Sequence, residues 1–210
     1  MDKQAREARE MAKQMPFGDR VKHFWYYHKW HVFATLIALI LIVTTVVQIV
    51  NRVEYDIEIA YYGGMYFTEE LAQKLEEYLS QYIEDVDGNG EKNVNIMVVT
   101  AEAPGMTGGQ LTEYQAAIGQ KFSAEMAARM YDAYIFDEAY YEYAGPESDF
   151  GIIESSFDMS QTEGMQEMLG IGERPLYWCT CIRRSGGDEE VAQMKYNNAI
   201  AVQKAVKGEI

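Results

Sequence analysis

Asp85, Asp87, Asn89 and Gly90 stand at positions 1, 3, 5 and 6 of the stretch "DVDGNGEKN". Oxygen-bearing side chains at alternate positions, followed by a glycine, are what a calcium loop uses. The cation takes about six to eight oxygens, and the chain must turn sharply to supply them. The twelfth position of such a loop supplies a bidentate Glu; here it is Ile96, and the segment runs on into an apolar stretch. The residues therefore read as a plain polar turn first, and as a weak Ca²⁺ site with Asp85, Asp87 and Asn89 as ligands second. No other cofactor is expected.

A second set of residues gathers where predicted strands end: Tyr62-Gly63-Gly64, Thr100, and Asp137-Glu138. In alternating α/β chains ligands collect outside the carboxyl ends of strands. Acid beside tyrosine suits a sugar or a cationic solute; ordinary strand-end chemistry is the other reading. Gly63-Gly64 lacks the third glycine of a dinucleotide fingerprint. A carboxylate pair, Asp137 with Glu138 or with Asp158, offers hydrolysis if the two groups lie about 5 to 10 Å apart. Neighbours along a strand point to opposite faces, which disfavours Asp137 with Glu138.

Some chemistry is excluded by composition. The three histidines are His23, His28 and His31. None follows residue 31, so the remaining chain has no histidine to serve as general base, triad member or zinc ligand. Lysine-based dyads stay open. Cys179 and Cys181 form a C-x-C; on a strand they share a face about 6.5 Å apart, which strains a bridge. They are either buried thiols or a strained disulfide.

The elements that must position these groups follow from periodicity. "VEYDIEIAYY" alternates, with Val53, Tyr55, Ile57, Ile59 and Tyr61 on one face and Glu54, Asp56 and Glu58 on the other. Acids on one face predict a strand near an edge of the sheet, or one with that face partly wet. "FTEELAQKLEEYLSQYIED" is a helix capped by Thr68, with Leu71, Leu75, Tyr78, Leu79 and Tyr82 as its apolar stripe. "VNIMVVT" has the composition of a buried strand. "LTEYQAAIGQKFSAEMAARM" is a helix buried through Leu111, Tyr114, Ile118, Phe122, Met126 and Met130. "YDAYIFDE" and "PLYWCTCIRR" are strands, "TEGMQEMLG" is a short helix, and "DEEVAQMKYNNAIAVQKAV" closes the chain as a helix. The tyrosines of "DEAYYEYAG" read as strand packing. Strand and helix alternate, predicting a three-layer α/β domain with a mostly parallel sheet of about four to five strands.

Ahead of this domain lies Val32 to Val50, nineteen residues without a charge. That length covers the ~30 Å hydrocarbon core of a bilayer. No A-x-A site follows it, so an uncleaved transmembrane anchor is expected rather than a signal peptide. Lys3, Arg6, Arg9, Lys13, Arg20, Lys22 and Lys29 precede it, and only Arg52 lies close behind. The positive-inside rule puts the N-terminus in the cytoplasm and the C-terminal domain outside the cell. The expected organisation is a cytoplasmic tail over residues 1–22, a transmembrane helix with its interfacial flank over 23–52, and an extracellular domain over 53–210. The tail "DKQAREAREMAKQM" reads as a frayed helix or as a docking helix for a cytosolic partner. Residues 32–210 carry 11 basic and 29 acidic side chains. That balance argues against nucleic acid as a partner.

The order of a strand ending in Gly-Gly, "FTEELAQKLEEYL", "VNIMVV", "QKFSAEMAARMYDAYIFDE" and "SSFDMS" resembles one lobe of bacterial extracellular solute-binding proteins. "FWYYHKWHVF" is similar to the membrane entrance of single-pass proteins of Gram-positive type. The first resemblance covers residues 55 to 208 and implies a binding function. Solute-binding proteins close two lobes on their ligand, and this chain has room for one, so trapping by a hinge is not implied. The expected function is a membrane-anchored, non-catalytic, solute-binding-like domain. It binds a small ligand or serves as accessory to a membrane partner such as a transporter. A carboxylate-dependent surface hydrolase and a single-pass regulatory protein are the alternatives.

Overall fold

The computed structural model describes residues 16–50, 54–170, 172, 174–185 and 187–210. The expected tail helix over residues 2–15, Arg52 and Val53 lie outside the described residues. The chain divides into two units, Met1–Arg52 and Val53–Ile210.

In the first unit, α1 spans Phe17–Val50. Its stretch His28–Val47 is long and apolar enough to cross a membrane. The threonines that interrupt the apolar run bond back to their own helix: Thr35 donates to the His31 carbonyl at 2.8 Å, and Thr45 to that of Leu41 at 2.8 Å. Their polarity is thereby muted, which is how a helix carries hydroxyls where water is scarce.

The second unit holds a five-stranded sheet. In chain order its elements are β1 (Ile57–Gly63), α2 (Glu69–Leu79), β2 (Val94–Thr100), α3 (Gly109–Ala128), β3 (Ala133–Phe136), α4 (Glu138–Ala144), β4 (Ile153–Asp158), α5 (Glu163–Leu169), β5 (Tyr177–Cys181) and α6 (Glu189–Lys207). The strand order is β2-β1-β3-β5-β4. β1 pairs in parallel with β2 and β3, while β5 runs antiparallel to both β3 and β4. Four strands therefore point one way and β5 the other, so the sheet is mostly parallel.

Layering follows from the alternation of side chains along β1. Ile57, Ile59 and Tyr61 enter a core shared with Leu75 and Leu79 of α2, Met165 of α5 and Val202 of α6. Ala60 and Tyr62 enter a second core with Phe122 and Met126 of α3 and Ala144 of α4. β1 is an interior strand, next to the edge strand β2, and it is buried on both sides rather than wet on one. Its acids sit at its start rather than along a face. Asp56 precedes the strand, fully buried, and its carboxylate accepts the Val86 and Asn93 N–H groups at 2.6 Å each. Glu58 is half-buried and pairs with Lys195 at 3.6 Å. The strand expected to be buried, β2, is an edge strand with Met97 exposed. One outward-facing N–H of that edge, on Ile96, donates to Glu76 of α2 at 2.6 Å. A carboxylate there blunts the edge against further pairing.

Three further expectations change. The tyrosine-rich "EAYYEYA" is helix α4, because Asp137 ends β3 and caps the next turn through the Tyr140 N–H at 3.0 Å. "IESSFD" is a fifth strand at the other edge, where β4 bends against β5 through a register shift. On α3 only Phe122, Glu125 and Met126 are buried. Leu111, Tyr114 and Ile118 are half-buried, and Met130 is exposed beyond the left-handed cap at Arg129. Cys179 and Cys181 are free, buried thiols on the α3/α4 side, and burial pushes both well above the ordinary thiol range.

Candidate functional site

β1 lies between β2 and β3: α2 carries the chain from β1 out to β2 on one face, and α3 carries it from β2 back across β1 to β3 on the other. The crevice outside the carboxyl ends of β1 and β3 is where such sheets receive ligands. Gly63, Gly64 and Asp137 meet there. One oxygen of Asp137 accepts the Gly64 N–H at 3.0 Å and the other accepts the Tyr140 N–H at 3.0 Å. The Tyr61 hydroxyl donates to the Gly64 carbonyl at 2.6 Å. A Cβ at Gly63 would lie 2.9 Å from Cβ of Asp137 and closer still to the Tyr61 hydroxyl; one at Gly64 would lie 3.0 Å from the Tyr66 ring. The glycines are required because the chain's own side chains fill the crevice.

The other strand-end residues do not join this group. Tyr62 is fully buried and its hydroxyl donates to Glu125, deep under α3. Thr100 lies on the edge strand, where its hydroxyl donates to the Glu102 carbonyl at 3.2 Å. Glu138 is exposed in the first turn of α4. The Asp158 carboxylate accepts the Ser160 N–H and hydroxyl, at 3.0 and 2.6 Å, and the Leu176 N–H at 3.3 Å. Asp137 and Asp158 are both engaged as caps.

Sequence reasoning missed three neighbours of the crevice. Tyr61 and Tyr66 are both pushed up, first by burial, with the charge of Asp137 adding to it. Arg174 lies 5.0 Å above the Tyr66 ring. Tyr66 follows the Gly-Gly pair closely enough to have been found from spacing; nothing near Arg174 in the chain announces it.

The polar turn closes on itself. Asp85 accepts the Gly88 and Gly90 N–H groups at 2.7 Å each, and Gly88 and Gly90 take φ of 72° and 88°. Those N–H groups, Gly90 first, hold Asp85 below its usual range. Asp87 accepts from the Asn89 N–H at 3.0 Å, and the Asn89 side-chain oxygen accepts the Glu91 N–H at 2.7 Å. Asp56, which the spacing did not point to, joins Asp85 and Asp87 with ligand atoms within 4.8 Å of one another. Three carboxylates fall short of the about six to eight oxygens that calcium takes. Asp56, Asp85 and Asp87 each already accept two N–H groups, so the loop holds its shape without an ion. Ile96 is buried in β2 and supplies no oxygen side chain.

An open groove of about 680 Å³ runs between α3 and α4. Ala116, Gly119, Gln120 and Ser123 line it from α3, and Tyr140 and Tyr143 from α4. Its volume lies within the ~300–1,000 Å³ of small-molecule sites. A Cβ at Gly119 would meet nothing within 4 Å. Phe122 forms the floor, its ring 5.1 Å from that of Tyr140. Burial pushes the Tyr140 hydroxyl up, so it stays a neutral donor across the physiological range. No sequence signal marked this groove, because it depends on α4, whose tyrosines read as a strand.

No protein family, curated protein or solved structure matches the chain. The site therefore stands on its own geometry.

Proposed function

We propose that residues 53–210 are a membrane-tethered, non-catalytic binding module of solute-binding type. α1 anchors it, with the N-terminus in the cytoplasm and the domain outside the cell. It takes a small ligand in the α3/α4 groove, and a membrane partner such as a transporter receives that ligand. The groove carries this reading: it is a concave, aromatic-floored space of ligand size that the chain leaves unfilled.

The hydrolase alternative needs a carboxylate with an oxygen available to attack or to take a proton. Both oxygens of Asp137 accept main-chain N–H groups; Oδ1 of Asp158 is engaged by Ser160 and Leu176, and its Oδ2 accepts from the Gln161 side chain at 3.3 Å. The anchor rests on the apolar run of α1, and the orientation on the seven basic residues ahead of it.

The full chain, extracted with detergent, is screened against a solute library for a rise in unfolding temperature, and against glycoside, ester and peptide substrates for turnover. A bound ligand stabilises the native state by mass action. A temperature rise without turnover is expected. Turnover that vanishes in Asp137→Asn or Asp158→Asn, with the fold intact by circular dichroism, overturns the binding reading.

A further inference from the structure

The two walls of the α3/α4 groove differ in character. On α3, Ala116, Gly119 and Ser123 recur at spacings of three and four and so share one side of the helix. They make that wall low. On α4, Tyr143 is 59 % exposed, yet it is not loose. Its ring lies 6.0 Å from that of Phe122 and 5.8 Å from that of Phe150, and those two rings are themselves 6.0 Å apart. A large ring left open to water but braced by two neighbours is a platform, with little side-chain freedom left to lose when something stacks on it.

The polar groups of the groove are neutral. Gln120 offers both a donor and an acceptor. The Ser123 hydroxyl gives its proton to the Gly119 carbonyl at 3.0 Å and so presents oxygen lone pairs. No charged side chain lines the groove among the described residues. On the same two helices Glu113, Glu138 and Glu142 are exposed, against one exposed cation, Lys121, which pairs with Glu125 at 3.7 Å, in a chain of net charge −15.

These features sort ligands by chemistry. An anion finds no cation in the lining and meets an acidic surround. An ammonium finds no carboxylate inside. A wholly apolar ligand strips water from Gln120 and Ser123 without replacing their hydrogen bonds, which is costly. What remains is an uncharged ring with an apolar face and a hydroxylated edge.

We infer that the α3/α4 groove binds an uncharged saccharide, one pyranose face stacking on Tyr143 while its hydroxyls meet Gln120 and Ser123. This rests on the binding reading above and names the ligand class of that same site.

The test uses the full chain in lipid nanodiscs and saturation-transfer NMR. The probes are neutral methyl glycosides of glucose, galactose, mannose and N-acetylglucosamine. Methyl glucuronide, phenol and an oligoproline peptide serve as contrasts. Gly119→Leu fills the groove from a position whose Cβ has open space, and Tyr143→Ala removes the platform. Glu70→Gln, on α2 across the sheet, is the control. At least one neutral glycoside is expected to bind, with affinity falling about tenfold or more in both groove variants and unchanged in the control. Gly119→Leu should keep the wild-type circular dichroism and unfolding temperature, so that lost binding reports the groove and not the fold. Glycoside binding that survives Gly119→Leu overturns the inference, as does binding of none of the glycosides. Should phenol or oligoproline bind instead and be lost in Gly119→Leu, the saccharide assignment falls and the binding reading stands. If no probe and no library solute binds, both fall.

Discussion

Gly63 and Gly119 are both glycines beside a concavity, and they do opposite things. At Gly63, where α/β sheets usually receive ligands, a Cβ would collide with Asp137 and Tyr61. At Gly119, on the surface of α3, a Cβ would meet nothing within 4 Å. The first glycine exists so that the chain can fill its own crevice. The second leaves a groove unfilled. A fold's habitual ligand position can thus be consumed by packing, and space for a ligand then arises where a short helix meets small residues.

That contrast can be broken in several places. Phe122 floors the groove and packs against Tyr62, Phe136, Tyr140 and Phe150. Phe122→Ala should cost about 3–5 kcal/mol of stability, as large-to-small changes at buried aromatics do. Chemical denaturation of the full chain measures it; a loss below about 1 kcal/mol means that the α3 side is not a packed core. Gly63→Ala comes next. Overpacking of this kind costs about 1–3 kcal/mol. A neutral Gly63→Ala in the same denaturation assay would mean that the crevice is open rather than filled.

A third way sharpens the comparison by moving to the opposite end of the sheet. Asp132 is buried there; it accepts the Glu58 N–H at 3.0 Å and pairs with Arg184 at 3.2 Å. Desolvation pushes its carboxyl up, only partly offset by Arg184. Glu76 at the β2 edge is also pushed up by burial. A group whose native pKa lies above its unfolded value binds protons in the native state first, so the stability it contributes is present at low pH and lost as pH rises through the native pKa. The denaturation midpoint should therefore rise as pH falls from neutral toward the upper end of the carboxylate range. Asp132→Asn should flatten part of that rise, a difference that the chain's overall acidity does not produce. The smallest effect is at Gly119. Gly119→Ala should stabilise by about 0.4–1 kcal/mol, because the helix gains propensity and nothing is displaced.

The same residues show what the sequence could and could not disclose. α2 and α6 were legible because apolar residues recur at helical spacing and Thr68 and Asp188 cap them. β1 was legible as a strand but not as one buried on both faces. Its acids looked like a wet face until Asp56 proved to be tying down both ends of the 85–93 turn from within the core. α4 was misread because tyrosines favour strands, and the cap at Asp137, one residue earlier, outweighed that preference. The Asp85 turn was legible in full within its own stretch, whereas Asp56 reached it only through tertiary folding. Of the strand-end residues, Gly63, Gly64 and Asp137 do converge, while Tyr62 is carried to the opposite face by the alternation of β1. The groove needs two helices from separate segments and an absent side chain, and no local pattern encodes an absence.

The central claim is that ligand enters the α3/α4 groove and not the strand-end crevice. Hydrogen–deuterium exchange on the full chain in nanodiscs, with and without whichever solute raises its unfolding temperature, separates the two directly. Slower exchange is predicted over residues 116–123 and 139–143, with residues 63–66, 100–102 and 137 unchanged. Protection confined to the second set, with α3 and α4 unaffected, would contradict the account.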